Sequence, residues 1–310
     1  MYFPYLYARR AERNALIDVV HSLGSPQKVR PIVEPYSAAS DLTGLMNTFA
    51  AAKKDMLLVV NPSRGRLVNA AEQAAWSTAM SAYVADPALV TPVFHLFART
   101  TPADVTKFLT AFAGRELALV ILEAGLSAAH LAPLLVGQNI RVFVGPNVAV
   151  TDYQTALSGV HVVALAPRFT ALRNADFPAE SAFSLDPKSY GTAGFGDFTI
   201  LDPRPPRASG GAGAGAVAVH MTYQHSATNE LRVQHFLSDD QVQGTPPDGV
   251  KLLQAVKHLD DQQAATPGRF LPSPGFMALH QYRVDGHITN LEQSKRQQIS
   301  HHLHTVAHSL

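Results

Sequence analysis

VRPIVEPY, at residues 29–36, is the first of five short apolar stretches that each carry a polar residue or a proline near the end. The other four are MLLVVNP (56–62), TPVFHLF (91–97), LALVILEA (117–124) and IRVFVGP (140–146). Continuous apolar runs of this length are typical of strands buried on both faces. Alanine-rich segments with helical periodicity separate them, and this alternation predicts a parallel sheet.

Three further stretches bring the strand count to the eight that a closed barrel needs. Residues 2–7 are aromatic, residues 161–166 read HVVALA, and residues 195–201 lie within GFGDFTIL. The sequence therefore predicts an α/β fold, a (β/α)8 barrel. An open doubly wound sheet is the alternative, and it is less favoured because no glycine-rich phosphate loop follows the early strands.

The pattern changes after residue 202. Prolines precede SGGAGAGA (209–216), which indicates a flexible linker, and two alternating runs (216–224 and 230–236) predict a β-hairpin. Helical segments follow. We expect a barrel over residues 1–202, with the linker, hairpin and helices of residues 203–310 packed on it in a single domain.

Composition excludes several classes of site and partner. The 310 residues are 46% hydrophobic, carry a net charge of +1 and include no cysteine. A large core is therefore expected, nucleic acid is not favoured as a partner, and a thiolate nucleophile or Cys-ligated zinc is excluded. Neither a membrane span nor a signal peptide is recognisable, which predicts a cytoplasmic protein.

Polar residues at the predicted strand ends define the first candidate site. Glu34, Asn61, His95 and Glu123 would meet at one mouth of a barrel. They could hold a divalent cation, or supply an acid and a base. Alternatively, they bond loop backbone, and for His95 a structural, hydrogen-bonded histidine is favoured. Arg64, in NPSRGR, could hold an anion at this mouth or be a solvated turn residue.

Three other positions carry titratable groups in informative places. Asp197, in GFGDFTIL, would point into the mouth only if its strand runs up to it. His220 and His235 sit in the two hairpin strands, where they could face each other and bind phosphate or a metal, or form a cross-strand polar pair. A further group, His301, His304 and His308, shares one face of a C-terminal helix that we expect to be solvated.

Several motif classes are missing from the sequence. It contains no G-x-S-x-G, H-E-x-x-H or P-loop. Serine-based acyl transfer and P-loop nucleotide hydrolysis therefore have no support from sequence motifs.

Taken in order, MYFPYL, PIVEP, VVNPSRG, GFGDFTI, AVAVHMTY and VQHFLSD resemble the bacterial and phage "beta protein" family, which is thought to be TIM-barrel-like. The positions matching its motifs include Glu34, Asn61, Asp197, His220 and His235. The resemblance implies an association with mobile elements or anti-phage gene clusters, sometimes beside a nuclease-like partner protein.

Three interpretations are compatible with these observations. One is a purely structural protein, which predicts a barrel mouth plugged by side chains, and the other two are functions. The first is a component of a phage-related or defence module that binds a small anionic ligand or a partner at the barrel mouth. The second is a metal-assisted phosphodiester or phosphate hydrolase, with Glu34, Glu123 and Asp197 as ligands of a divalent cation and His220 or His235 as acid or base.

Overall fold

The computed structural model describes residues 1–191, 193–205 and 213–310. By contacts, the chain forms two compact units that interleave in sequence. The first comprises Met1–Arg9, Val29–Pro167 and Tyr190–Phe198, and the second comprises Arg10–Lys28, Arg168–Ser189 and Thr199–Leu310. Residues 10–28, 168–189 and 199–202, which lie within the predicted barrel range, thus belong to the second unit. Part of the expected linker, residues 209–212, lies outside the described residues.

Strands and helices of the described chain are numbered here in chain order. The strands are β1 (Tyr2–Leu6), β2 (Ile32–Val33), β3 (Met56–Val59), β4 (Val90–Leu96), β5 (Leu117–Ile121), β6 (Ile140–Val144), β7 (His161–Ala166), β8 (Glu180–Ser184), β9 (Phe195–Asp197), β10 (Ala218–Gln224) and β11 (Leu231–Leu237). The α-helices are α1 (Arg10–Val19), α2 (Ser40–Ala51), α3 (Ala70–Ala85), α4 (Pro102–Ala111), α5 (Ala128–Leu135), α6 (Val150–Ala156), α7 (Asp248–Ala265), α8 (Pro274–Val284) and α9 (Leu291–Ser309).

The first unit is a closed barrel of parallel strands in the order β1-β2-β3-β4-β5-β6-β7-β9. This confirms the predicted α/β, (β/α)8 TIM-barrel-like fold. Its last strand pairs with β7 on one side and β1 on the other, and so closes the sheet. That strand ends at Asp197 and is shorter than the predicted segment of residues 195–201.

Side chains alternate between the inside and the outside of this barrel. In β5, Ala118 and Val120 belong to the interior cluster, whereas Leu117, Leu119 and Ile121 pack in the cluster that includes residues of α4, α5 and α6. Both faces are thus buried, which explains why the strand reads as an unbroken apolar run. The same alternation decides which polar residues at the strand ends turn inward.

A charged network lies where several barrel strands begin. Arg30, just before β2, donates from Nε to Asp55 (2.7 Å), from Nη1 to Glu116 (2.9 Å) and from Nη2 to Thr91 (2.8 Å). Asp55 and Glu116 each precede a strand by one residue. Because the functional end of such barrels is the opposite one, this network is a stabilising feature of the fold.

The second unit is built on a three-stranded antiparallel sheet in the order β10-β11-β8. The β-hairpin prediction is confirmed, since β10 and β11 pair from Ala218–Leu237 to Gln224–Leu231. Two elements were not predicted: β8, which adds to the hairpin, and α8. Apolar side chains of β10 and α7 share one core cluster, which also includes Phe270 and Leu279.

The expectation that α9 is a solvated helix is wrong. His301 and His302 are fully buried, whereas His308 near the end of the helix is exposed. The reason is that β10 is an edge strand whose backbone groups need partners. Gln298 accepts a hydrogen bond from the His220 amide (2.8 Å), and His301 Nε2 donates to the Thr222 carbonyl (2.7 Å). The polar face of α9 therefore covers the edge of the sheet.

Within the described ranges, no helix is both long enough and apolar enough to cross a membrane.

Candidate functional site

The clearest polar cluster of the barrel unit lies at the carboxyl ends of its first strands. Tyr5 and Ile32 are register partners with side chains inside the barrel, so Glu34, two residues beyond Ile32, also turns inward. His95 lies two residues beyond the interior residue Val93 and does the same. The side chains of Glu34 and His95 are both completely buried. Sequence reasoning thus placed both residues correctly at strand ends.

Glu34 is the centre of this cluster. Its Oε1 lies 3.2 Å from His95 Nδ1 and accepts from Arg64 Nε at 3.1 Å. Its Oε2 accepts a hydrogen bond from the Tyr5 hydroxyl. A buried carboxylate requires such partners, because burial alone disfavours the charged form.

The electrostatics follow from these contacts. Burial raises the pKa of Glu34, but the hydrogen bond and charge of His95, the Arg64 guanidinium and the Tyr5 hydroxyl outweigh it, and the pKa is lowered. Burial and the adjacent Glu34 carboxylate raise the pKa of Tyr5 well above its usual value. Tyr5 is therefore a protonated donor, and Glu34 is an ionised acceptor at neutral pH.

His95 is held from several sides. Its Nδ1 faces the ionised Glu34, so this nitrogen carries the proton that the Glu34 carboxylate accepts. The ring stacks on Phe97 at 4.1 Å between centroids. Among the residues that the structure describes, Nε2 is buried and has no hydrogen-bonding partner. A buried ring nitrogen without a partner is uncommon in proteins, and it marks His95 as a candidate functional residue.

Asn61 positions His95 through its backbone. Asn61 Nδ2 donates to the His95 carbonyl oxygen (2.8 Å), and Asn61 Oδ1 accepts from the His95 amide (2.8 Å). The Asn61 side chain thus forms the two hydrogen bonds to the His95 backbone that a neighbouring strand would otherwise form. This matches the alternative reading, in which polar residues at strand ends bond backbone.

The turn 61–66 brings Arg64 over the mouth. Gly65 has φ of +56°, and a Cβ there would lie 2.3 Å from the Tyr36 carbonyl oxygen, so only glycine fits. Arg64 is 22% exposed and lies over the Tyr7 ring, 5.9 Å from its centroid. Arg66 instead points to solvent and pairs with Glu72 at 3.1 Å. Only the first of the two arginines therefore belongs to the cluster.

Glu123 and Asp197 lie elsewhere in the barrel unit. Glu123 is exposed and accepts a hydrogen bond from the Ala98 amide (3.1 Å). In β9, Gly196 is paired with the interior residues Phe3 and Leu165, so Asp197 faces outward, where Oδ1 accepts from the Tyr2 hydroxyl. The strand runs up to Asp197, as its predicted role required, but its side chain points away from the barrel interior.

The expected metal ligands do not assemble in the described part of the chain. No group of three His, Asp or Glu side chains there is arranged to hold a metal ion. Of the three predicted carboxylate ligands, only Glu34 is a member of the mouth cluster.

His220 and His235 lie in the second unit, directly opposite each other on β10 and β11. Their Nδ1 atoms are 2.8 Å apart, and His235 Nε2 is 2.9 Å from the Ser181 hydroxyl. Burial lowers the pKa of His220 to about 3, helped by the charges of His235 and Lys295. Burial also lowers the pKa of His235 to about 4, against the opposing effect of Glu180. Both rings are therefore neutral at pH 7.

Tyr5 and Ser181 are the site residues that the sequence did not reveal. Tyr5 lies in an aromatic stretch that predicted only a strand, although its inward direction follows from strand alternation. Ser181 lies in β8, which was not predicted, and its histidine partner is 54 residues away in sequence. No local motif could therefore have indicated it.

The fold and the cluster define a (β/α)8-barrel protein with a charged, hydrogen-bonded site at the carboxyl ends of its strands. The chain matches no protein-family model, and no curated protein matches its sequence. The resemblance to the beta protein family therefore stays a prediction.

Proposed function

We propose that the protein binds a small anionic molecule at the barrel mouth through Arg64 and His95. One observation carries this proposal: a partly exposed arginine lies beside a buried imidazole whose Nε2 has no partner in the described chain. Arg64 is the member that solvent reaches, and a guanidinium binds carboxylates and phosphates through directed hydrogen bonds.

The contact between Arg64 and Glu34 indicates which atoms would bind the anion. Arg64 donates to Glu34 through Nε, so the terminal nitrogens of the guanidinium would contact an anion at the mouth.

Calorimetric titration of the full chain with inorganic phosphate tests the proposal. We expect saturable binding. Arg64→Gln should weaken binding by about tenfold or more, the worth of a charge-assisted hydrogen bond. Arg66→Gln is the matched control, because Arg66 lies in the same turn but pairs only with the exposed Glu72. No saturable binding, or equal affinity in the two variants, would refute the proposal.

The same geometry supports proton-transfer catalysis as a second candidate. A carboxylate on one imidazole nitrogen, with the other left free, is the arrangement of an oriented general base. The metal-assisted hydrolase stays a prediction with weaker support, because Asp197 faces outward and Glu123 is exposed. Association with a phage-related or defence module, or with a nuclease-like partner, rests on the resemblance alone.

A further inference from the structure

Three side chains of the second unit form a continuous hydrogen-bonded row: Ser181, His235 and His220. The Ser181 hydroxyl is 2.9 Å from His235 Nε2, and the other nitrogen of that ring, Nδ1, is 2.8 Å from His220 Nδ1. Ser181 is half-buried, whereas His235 is only 6% exposed. His220, at the other end, is also half-buried, so the two ends of the row are more exposed than its centre.

Two assignments of the ring protons satisfy the row, because only one of the two facing Nδ1 atoms can carry a proton when both rings are neutral. If His220 carries it, His235 Nε2–H donates to Ser181 Oγ. If His235 carries it, Nδ1–H donates to His220 Nδ1, and His235 Nε2 accepts the Ser181 hydroxyl hydrogen; this second assignment is the reactive one. A hydroxyl bonded to an imidazole that a third group orients is the signature of an activated nucleophile.

We propose that Ser181 is the nucleophile of an ester-hydrolysing site in which His235 is the general base and His220 positions His235. This site belongs to the second unit and is independent of anion binding at the barrel mouth. The chemistry is recognised by the roles and geometry of the three side chains, which recur on unrelated folds without a shared sequence motif.

The reaction balances with water as the only other reactant. Ser181 Oγ forms a bond to the ester carbonyl carbon while its proton moves to His235 Nε2. The bond from that carbon to the alcohol oxygen breaks, and the alcohol leaves with the proton from Nε2. Water then attacks the acyl-Ser181 ester, giving a proton to Nε2, and the carboxylic acid departs as that proton returns to Ser181 Oγ.

Aromatic side chains around the histidines indicate the class of acyl group. Phe169 lies 5.0 Å from the His220 ring, and Phe177 lies 4.8 Å from the His235 ring, between centroids. Such surroundings disfavour a charged group. The expected substrates are therefore esters of uncharged acyl groups.

The environment also keeps the base unprotonated over a wide pH range. The charged and titratable groups around the row are Glu180 on β8, His220 on β10 and Lys295 on α9. Burial nevertheless holds the pKa of His235 at about 4. The acylation rate at pH 6 should therefore equal that at pH 8, whereas a base with the usual pKa of 6.5 would keep only about a quarter of its activity at pH 6.

The test uses the full chain with p-nitrophenyl butyrate and an alkyl fluorophosphonate. We expect one fluorophosphonate adduct, located on Ser181 by mass spectrometry. Ser181→Ala should remove that adduct and lower kcat/KM for the ester at least about 100-fold. Ser184→Ala is the matched control, because Ser184 lies on the same strand but its hydroxyl donates to the Leu185 carbonyl.

The positioning role of His220 has its own readout. His220→Phe should lower kcat with little change in KM, and His220→Gln should restore part of the loss, because a glutamine oxygen can accept from His235 Nδ1. Circular dichroism confirms that each variant is folded. Lack of an adduct on Ser181, or ester cleavage that survives Ser181→Ala, would overturn the proposal.

Discussion

Glu34 fixes the charge state of the barrel mouth, because it bonds Tyr5, Arg64 and His95 at once. Removing one partner from a buried ionic group costs more than the net worth of the bonds, since the remaining groups lose their partner. The stability of the barrel unit should therefore be sensitive to this single side chain.

We expect Glu34→Gln to lower the free energy of unfolding by about 2 kcal/mol. The substitution keeps the shape of the side chain but leaves the Arg64 charge without its counter-charge. Urea denaturation followed by circular dichroism measures the effect. Glu123→Gln is the control, because Glu123 is exposed and an amide oxygen can still accept from Ala98. Equal stability of the two variants would contradict this account.

At the residue scale, the sequence predicted part of the site. The strand-end rule found Glu34, Asn61 and His95, because a polar residue that ends an apolar strand can be recognised from the sequence alone, and Arg64 was predicted from the turn NPSRGR that follows a buried strand. The rule could not tell inward from outward residues at Asp197, where the direction depends on the register of β9 with β1. A one-residue shift in register exchanges the two faces.

At the element scale, α9 shows how a polar helix can be a core element. Its histidines serve the edge of β10, and the tautomer of His301 follows from the contacts. Nε2–H donates to the Thr222 carbonyl, so Nδ1 accepts from the Ser273 hydroxyl at 2.7 Å. Ser273 also caps α8 by accepting from the Phe276 amide. One histidine thereby connects a strand edge with a helix terminus.

His301→Ala should lower the free energy of unfolding by about 2 to 4 kcal/mol, since it leaves a cavity and two unpaired polar groups. His308→Ala, on the exposed part of the same helix, should change it by no more than about 0.5 kcal/mol. Chemical denaturation of both variants measures the difference. If the two substitutions have the same effect, α9 does not cover the sheet edge as described.

The element-scale predictions succeeded where burial on both faces leaves a continuous apolar run. They failed at β8, whose sequence, ESAFS, has three exposed or half-buried residues and little apolar pattern. Its pairing partner β11 lies far along the chain, and the register shifts between Leu231 and Arg232. The burial of α9 was not predicted for a related reason. Its buried face is polar, and hydrophobic periodicity predicts burial only for apolar faces.

At the scale of the whole molecule, the two units carry different acid-sensitive groups. The second unit holds four histidines with lowered pKa values: about 3 for His220 and His302, and about 4 for His235 and His301. Burial is the main cause in each case. The barrel unit holds Glu34, whose pKa is lowered by its partners.

These shifts predict the order in which the units lose stability in acid. In the unfolded chain these histidines bind protons below about pH 6.5, whereas in the folded chain they bind protons only below about pH 4 or 3. The free energy of unfolding of the second unit therefore decreases as the pH is lowered from about 6.5 towards those values. Within that pH range, each histidine lowers the free energy of unfolding by on the order of 1.4 kcal/mol per pH unit. Stabilisation from Glu34 is complete above its unfolded pKa and is lost only as the pH falls through the lower, folded value. The second unit should therefore be destabilised first.

Thermal unfolding at pH 7.5, 6.5, 5.5 and 4.5 tests this order, with hydrogen exchange assigning each transition to a unit. We expect the second unit to show the earlier decline and a net proton uptake on unfolding at pH 5.5. A barrel unit that loses stability first, or a second unit with the same stability at pH 7.5 and 5.5, would contradict the prediction.

The two units interleave in sequence, and this has a consequence during translation. Asp18 of α1 binds Arg296 of α9 at 2.6 Å, although 278 residues separate them. During translation, the buried face of α1, with Ala15, Leu16 and Val19, leaves the ribosome long before α9 exists to cover it. At about 5 to 20 residues per second, the wait is at least on the order of ten seconds. Over that time the nascent chain exposes an apolar helix face, which is the kind of surface that ribosome-associated chaperones bind.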